Sequence, residues 1–367
     1  MKKDVLIVAS KEFIEGISEF LFQQNYGINI ADDGAEILRK SQHESVRAIV
    51  FEDDICRGRA RASIMNAIKK TGKSFIIVSS KKTFRSIIEA RDAGAADYII
   101  KPYNYRELLL RLNAVADNKK RISCIGGGTG LFNLLMGIKT LPDVLLTSIV
   151  STSDDGGSSG RLRLDFDILP PGDIRRSLVA LSNAPEIMNQ MMQYRFYKGR
   201  SLKGHSFGNL LLTVLSDIKG SMSEAIIGLS DILNIQGIVL PVTTDKTTLC
   251  AEFEEGTVIK GESKIDQAEG RSPDLHIKRL WHEPTPKCHI SAFSSILNSD
   301  IVIIGPGDLF TSIVTNLVIT DIQKAIVSSM AQKIYICNLM SKPGETTGYT
   351  AQDHVAEVIN YMKGDHL

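Results

Sequence analysis

Short apolar runs alternate along the chain with longer stretches whose apolar positions recur every three or four residues, the pattern of strands followed by amphipathic helices. Residues 5–8, 28–30, 48–51, 75–78 and 99–100 read as strands, and residues 13–22, the segment from Gly34 and residues 105–116 read as helices. That order predicts a parallel sheet wrapped by helices, because parallel neighbours need a crossover between them. The polar run Ala116-Asp117-Asn118-Lys119-Lys120-Arg121 then breaks the periodicity. It divides the chain into a domain over 1–117, a linker over 118–121 and a second domain over 122–367.

The pattern restarts at Ile122 with a strand that runs into Gly126-Gly127-Gly128-Thr129-Gly130 and a helix over 131–140. A strand over 144–150 leads to Asp154-Asp155-Gly156-Gly157-Ser158-Ser159-Gly160, and a strand over 301–304 ends in Gly305-Pro306-Gly307. Three strand-to-glycine junctions in one domain predict a nucleotide-type crevice at the carboxyl edge of a doubly wound sheet. Residues 238–242, 248–252 and 257–261 read as short strands, the last two joined by Glu254-Glu255-Gly256, so a small β excursion is expected within the α/β frame. The fold class is therefore α/β: an N-terminal flavodoxin-like parallel-sheet domain and a C-terminal Rossmann-like domain with a β insertion.

Composition narrows the functional classes. At 367 residues the chain exceeds one ordinary domain, and 43% hydrophobic with 23% charged residues suits a well-packed core. The 43 Lys and Arg against 42 Asp and Glu leave a formal net charge of +1, so no global field favours nucleic acid. No apolar run approaches the roughly 18 residues of a membrane span, and a cytoplasmic location is expected. Cys56, Cys124, Cys250, Cys288 and Cys337 have no CxxC spacing and read as reduced thiols.

Gly126, Gly127, Gly128, Thr129 and Gly130 lie where missing Cβ atoms and a helix N-terminus let backbone N–H groups meet a phosphate. Asp154 and Asp155, at a strand end, suit ribose hydroxyls or a divalent metal; a solvated Asp-Gly turn is the plainer reading. Gly156, Gly157, Ser158, Ser159 and Arg161 follow and suit phosphate. Asp173, after Pro170-Pro171-Gly172, either caps a helix or faces the ligand, and Arg175 beside it is a further ligand candidate. His205 and Asn209 open an apolar helix, where His205 is either a ligand-facing acid–base group or a capping residue. Gly305, Gly307, Thr311 and Ser312 repeat the strand, glycine-loop, helix arrangement, and Asn338 ends a strand before the loop carrying Tyr349.

The first 116 residues resemble a response-regulator receiver domain, most clearly through Ala93-Gly94-Ala95-Ala96-Asp97-Tyr98-Ile99-Ile100-Lys101-Pro102. The resemblance implies an acidic Mg²⁺-binding pair after the first strand, but Ala9-Ser10 stand there, so metal binding should be lost or very weak. Its phosphoacceptor position falls on Glu52 or Asp53, its sensor on Ser79 and its lysine on Lys101. The expectation is a pseudo-receiver that docks a partner or forms a homodimer; Glu52 at the acceptor position would imitate a phosphorylated carboxylate.

From Ile122 onwards the ordered glycine and acidic motifs resemble the CofD/YvcK superfamily, closely its YvcK (GlmR, gluconeogenesis factor) branch. The resemblance implies a Rossmann-like domain that binds a UDP-sugar such as UDP-GlcNAc, with NAD or GDP as less favoured ligands. It also implies a role, through a partner metabolic enzyme, in carbon flux, cell-wall precursor supply and cell shape. The related CofD enzymes are Mg²⁺-dependent 2-phospho-L-lactate transferases, so a transferase with Asp154 and Asp155 on Mg²⁺ and His205 as acid–base candidate is the alternative. Asp308 stands where the family carries serine, which implies repulsion of an anionic ligand unless a cation compensates. Phe310 replaces a tyrosine. The chain stops at Leu367 where the family adds a strand, so the resemblance implies that part of the family's ligand site is missing here.

Overall fold

In a computed structural model of the protein, residues 3–267, 272 and 274–363 are described. Met1 and Leu367, the outer limits expected for the two domains, lie outside the described residues. The chain divides into two compact units, Met1–Arg121 with Asp143–Leu145, and Ile122–Pro142 with Leu146–Leu367.

The first unit is built on β1 (Lys3–Val8), β2 (Tyr26–Ile30), β3 (Val46–Glu52), β4 (Phe75–Ser79) and β5 (Asp97–Ile100), in the spatial order β2-β1-β3-β4-β5. All four neighbouring pairs are parallel, which gives the flavodoxin-like order expected from the sequence. Strand residues Val5, Ile7, Val50, Ile76 and Val78 share a buried cluster with Ile17, Leu21, Leu108 and Leu112 of the covering helices. Side chains of Ser10, Asp33 and Asn104 accept backbone N–H bonds at helix starts, so polar residues punctuate the apolar periodicity.

The second unit contains β6 (Lys120–Gly126) from Ile122 and β7 (Val144–Val150) from Leu146, β8 (Ile238–Pro241), then β9 (Thr248–Phe253), β10 (Val258–Lys260) and β11 (Ile277–Glu283), and finally β12 (Ile301–Ile304) and β13 (Gln332–Tyr335). The main sheet runs β13-β12-β6-β7-β8, the doubly wound Rossmann order. Its first strand, β6, is flanked by β7 on one side and β12 on the other, and the crevice between β6 and β12 is the topological switch point. Ile122, Cys124, Ile125, Val302 and Ile304 bury these central strands. All five cysteines are free thiols.

Three expectations are corrected. Residues 238–242 do not belong to the β excursion: β8 is the edge strand of the parallel sheet, paired with β7 from Thr147 to Val150. The excursion is instead an antiparallel sheet in the order β10-β9-β11, whose third strand comes from residues 277–283. The linker is shorter than 118–121, because Lys120 and Arg121 already begin β6 and are tied by hydrogen bonds from Lys120 N–H to the Asp143 carbonyl and from Arg121 to the Ala96 carbonyl. Among the described residues no single helix is long and apolar enough to cross a membrane.

Candidate functional site

Both switch-point strands of the second unit end in glycine loops, and the loops meet. A Cβ on Gly130 would stand 2.6 Å from the Pro306 carbonyl oxygen, so this approach of two backbones requires glycine. Gly128 opens the helix Gly128–Ile138 with φ of 66°, and its missing Cβ faces Ser312 Oγ at 3.7 Å and Arg176 Nη1 at 3.8 Å. The space between the loops is a cavity of about 940 Å³. Of the expected ligand residues, Gly127, Gly128, Thr129, Gly130, Asp154, Asp173, Gly307, Thr311, Ser312 and Asn338 line it.

Asp173 is not the helix cap. It lies in the first turn of the helix Pro171–Leu181, where Pro170 occupies the cap position, and its Oδ2 accepts the Gly128 N–H at 2.8 Å. Its Oδ1 accepts from Arg176 Nη1 at 3.2 Å. Burial, then the neighbouring Asp154, push the Asp173 carboxyl up to about 6 against the pull of Arg176 and the Gly128 N–H. Arg176, three residues on, faces the cavity, whereas the expected Arg175 turns inward to the Met192 carbonyl at 3.2 Å. Burial, followed by Arg176 and Arg195, lowers Arg175 to about 10. The i, i+3 spacing from Asp173 was the signal in the sequence that could have chosen Arg176.

The paired carboxylates diverge. Asp154 lines the cavity and accepts the Gly156 N–H at 3.0 Å, whereas Asp155 accepts the Ser263 N–H at 2.8 Å and lies off the lining. Asp155 thus tethers the start of the helix Glu262–Gln267, which emerges from the β insertion. The pair does not converge on one ion, and among the described residues no group of three or more His, Cys, Asp or Glu is arranged to hold a metal. The two carboxylates therefore do not fit the shared Mg²⁺ site expected of them. The same helix adds Glu262 and Asp266 to the cavity wall, neither singled out in the sequence. Burial, then Asp154 and Asp266, push Glu262 up to about 9, so it carries its proton at neutral pH.

Asp308 also reaches the cavity, and the compensating cation is Lys342. Lys342 Nζ ion-pairs with Asp308 at 3.0 Å, with Glu345 at 2.8 Å and with Asp266. Burial pulls the Lys342 ammonium down, but Glu345, Asp266 and Asp308 outweigh it and hold it charged.

Several expected residues lie away from the lining. Gly157, Ser158, Ser159 and Arg161 are in the helix Gly157–Phe166 rather than in a loop, and Gly156 is its N-cap. Ser158 Oγ meets His205 Nδ1 at 3.1 Å and receives the Asn209 side-chain amide at 3.2 Å, a buried polar cluster that joins two helices. Burial, then Arg161, lower the His205 pKa, so the ring is neutral near pH 7. Ser206 rather than His205 caps the helix Phe207–Lys219, and His205 sits in this cluster off the cavity lining. Gly126 and Gly305 shape the loops without lining the cavity, and the Tyr349 ring meets His276 at a tilt, 5.3 Å between centroids, and His354 edge-on at 5.5 Å.

The switch point of the first unit, between β1 and β3, contains side chains instead of glycine. Glu52, the last residue of β3, accepts the Ser10 N–H at 2.7 Å and pairs with Lys101, whose ammonium also reaches Asp54 at 3.2 Å. Burial pushes the Glu52 carboxyl up, but Lys101 and Ser10 outweigh it and hold it below the usual carboxylate range. Asp53 turns away to Arg61 and to Lys81 at 2.7 Å, so Glu52 is the residue facing Lys101. Ser79 donates to Asp54 at 3.1 Å.

Comparison with known proteins gives this geometry a family. The profile described as 2-phospho-L-lactate transferase CofD matches residues 122–366. A gluconeogenesis factor of Halalkalibacterium halodurans is 45% identical over 66% of this chain and 74% of its own, and the Bacillus subtilis gluconeogenesis factor is 43% identical over 66% and 75%. A putative gluconeogenesis factor of Nostoc is 43% identical over 74% of this chain, which spans 59% of the Nostoc protein's length. An X-ray structure of a Bacillus halodurans protein superposes with a TM-score of 0.64 at 44% identity, covering 68% of this chain and 78% of that one. Through residues 122–366 the chain belongs to the CofD family, on its gluconeogenesis-factor branch.

Proposed function

We propose that the second unit binds a nucleotide sugar of the UDP-N-acetylglucosamine type, as a regulatory protein that links carbon metabolism to cell-wall precursor supply and cell shape. The observation that carries this reading is the cavity at the β6–β12 switch point, floored by Gly127, Gly128, Thr129 and Gly130 and closed by Gly307 and Ser312. Glycine-loop N–H groups at a helix start suit a diphosphate, and about 940 Å³ is enough for a nucleotide with a sugar attached. His205 stands off the lining, which removes the acid–base candidate from the cavity and favours a sensor over an enzyme. The ligand complex then acts on a partner metabolic enzyme. Calorimetric titration with UDP-N-acetylglucosamine, with and without Mg²⁺ and with NAD and GDP as controls, tests it: selective binding near 1 μM, about −8 kcal/mol, is expected.

The acidic wall of Asp154, Asp173, Glu262 and Asp266 favours a second reading, a phospholactyl-type transferase. Binding of GDP that requires Mg²⁺, with no binding of the UDP-sugar, would shift the assignment to it.

For the first unit we propose a pseudo-receiver that docks a partner or pairs two chains, because Lys101, Ser10 and Glu52 already complete one another's contacts. A chain beginning at Lys119 that kept the oligomeric state and partners of the full chain would remove this role.

A further inference from the structure

We propose that Asp308, Thr311 and Lys342 bind the hydroxyls of the ligand's glycosyl ring, making this wall of the cavity the part that distinguishes a nucleotide sugar from the bare nucleotide. The inference rests on the nucleotide-sugar reading above and adds which residues recognise the sugar.

A sugar hydroxyl is donor and acceptor at once, so it is best met by an acceptor and a donor side by side. Asp308 Oδ2 and Lys342 Nζ, 3.0 Å apart on the cavity wall, are such a couple. Neighbouring ring hydroxyls can donate to the carboxylate and accept from the ammonium without separating the pair. Lys342 is held in place from the other side by Asp266 and by Glu345, which is 1% exposed. Asp308 is 44% exposed and remains accessible to a ligand.

Thr311 supplies the independent observation. It lines the same cavity, is 3% exposed, and its Oγ1 has no hydrogen-bond partner among the described residues. A buried hydroxyl left unpaired is costly, and a ligand hydroxyl that reached it would satisfy it. Thr311 lies in the π-helical turn Leu309–Val314, a geometry common at functional sites, which also carries Ser312 against the Gly128 loop. The glycosyl group would thus stand beside the diphosphate, where a nucleotide sugar carries it. A site built to hydrogen-bond hydroxyls discriminates strongly against a ligand that lacks them.

The test is calorimetric titration of the full chain and of its Asp308→Asn, Thr311→Val and Lys342→Met variants with UDP-N-acetylglucosamine and, separately, with UDP. The wild type is expected to bind the sugar nucleotide at least tenfold more tightly than UDP. Asp308→Asn and Lys342→Met should each weaken the sugar nucleotide about tenfold and Thr311→Val about threefold, with UDP affinity held within twofold or improved. Retained UDP binding shows that a variant is folded, and Asp308→Asn guards against damage from unpairing three carboxylates in Lys342→Met. Equal losses for both ligands would mean that these residues serve the ribose or phosphates and would overturn the proposal alone. So would equal wild-type affinity for both. Failure of the wild type to bind either ligand would overturn the nucleotide-sugar reading itself.

Discussion

The two units place the same architectural feature to opposite use. Each has a doubly wound parallel sheet with a switch point at its carboxyl edge, between β1 and β3 in one and between β6 and β12 in the other. In the first unit a carboxylate, an ammonium and a backbone N–H already satisfy one another there, through Glu52, Lys101 and Ser10. In the second, glycines open a cavity, with Asp173 holding the Gly128 N–H and Asp154, Glu262, Asp266 and Asp308 in the cavity wall. The difference lies at the strand ends: glycines leave room for a cavity in the second unit, whereas a paired carboxylate and ammonium fill the same place in the first.

The sharpest way to break this contrast is to fill the open switch point. Gly128→Val puts a β-branched side chain at a positive φ and into the cavity mouth, and should lower affinity for UDP-N-acetylglucosamine at least about 100-fold in calorimetry. The backbone strain costs about 1–2 kcal/mol, so the melting temperature should fall slightly while the fold persists. Next in size is the closed switch point. Lys101→Met leaves the buried Glu52 carboxylate without its cation and should destabilise the first unit by about 2–3 kcal/mol in denaturant unfolding. Adding Glu52→Gln should restore most of that loss, since it removes the charge that needed a partner.

A smaller effect is expected from pH. Asp173, raised to about 6, is neutral below that pH and adds a negative charge beside the glycine loop above it. The folded form thus favours the protonated group relative to the unfolded chain, and an anionic ligand favours it too. Without divalent cations, affinity for UDP-N-acetylglucosamine should fall about fivefold from pH 5 to pH 7, roughly the 1 kcal/mol of one screened charge pair. Asp173→Asn should flatten that profile. Smallest of all, beryllofluoride with Mg²⁺ should leave the exchange rates and oligomeric state of the first unit unchanged, because Ala9 and Ser10 offer no carboxylate to the metal.

Much of this contrast was legible in the sequence, and the omissions have physical causes. Strand order and both glycine loops followed from apolar runs and from glycine after a strand, signals local to a few residues. Asp155 was misplaced because adjacent residues in an extended segment point to opposite sides, which the run Asp154-Asp155 could not resolve. Residues 238–242 looked like the start of the β excursion because a short apolar strand carries no mark of its partner. Glu262, Asp266 and Lys342 come to the cavity from segments remote in sequence, and only the tertiary fold places them beside the loops. Lys342 also answers the charge of Asp308, which the sequence had raised as a difficulty for anionic ligands.

The most direct test of the contrast is hydrogen exchange of the full chain with and without UDP-N-acetylglucosamine. The account predicts slowed exchange at the amides of Gly127, Gly128, Thr129, Gly130 and Ser312, with Ser10, Phe13 and Lys81 in the first unit unaffected. Slowed exchange around Ser10 and Glu52, or none at the glycine loops under saturating ligand, would contradict it.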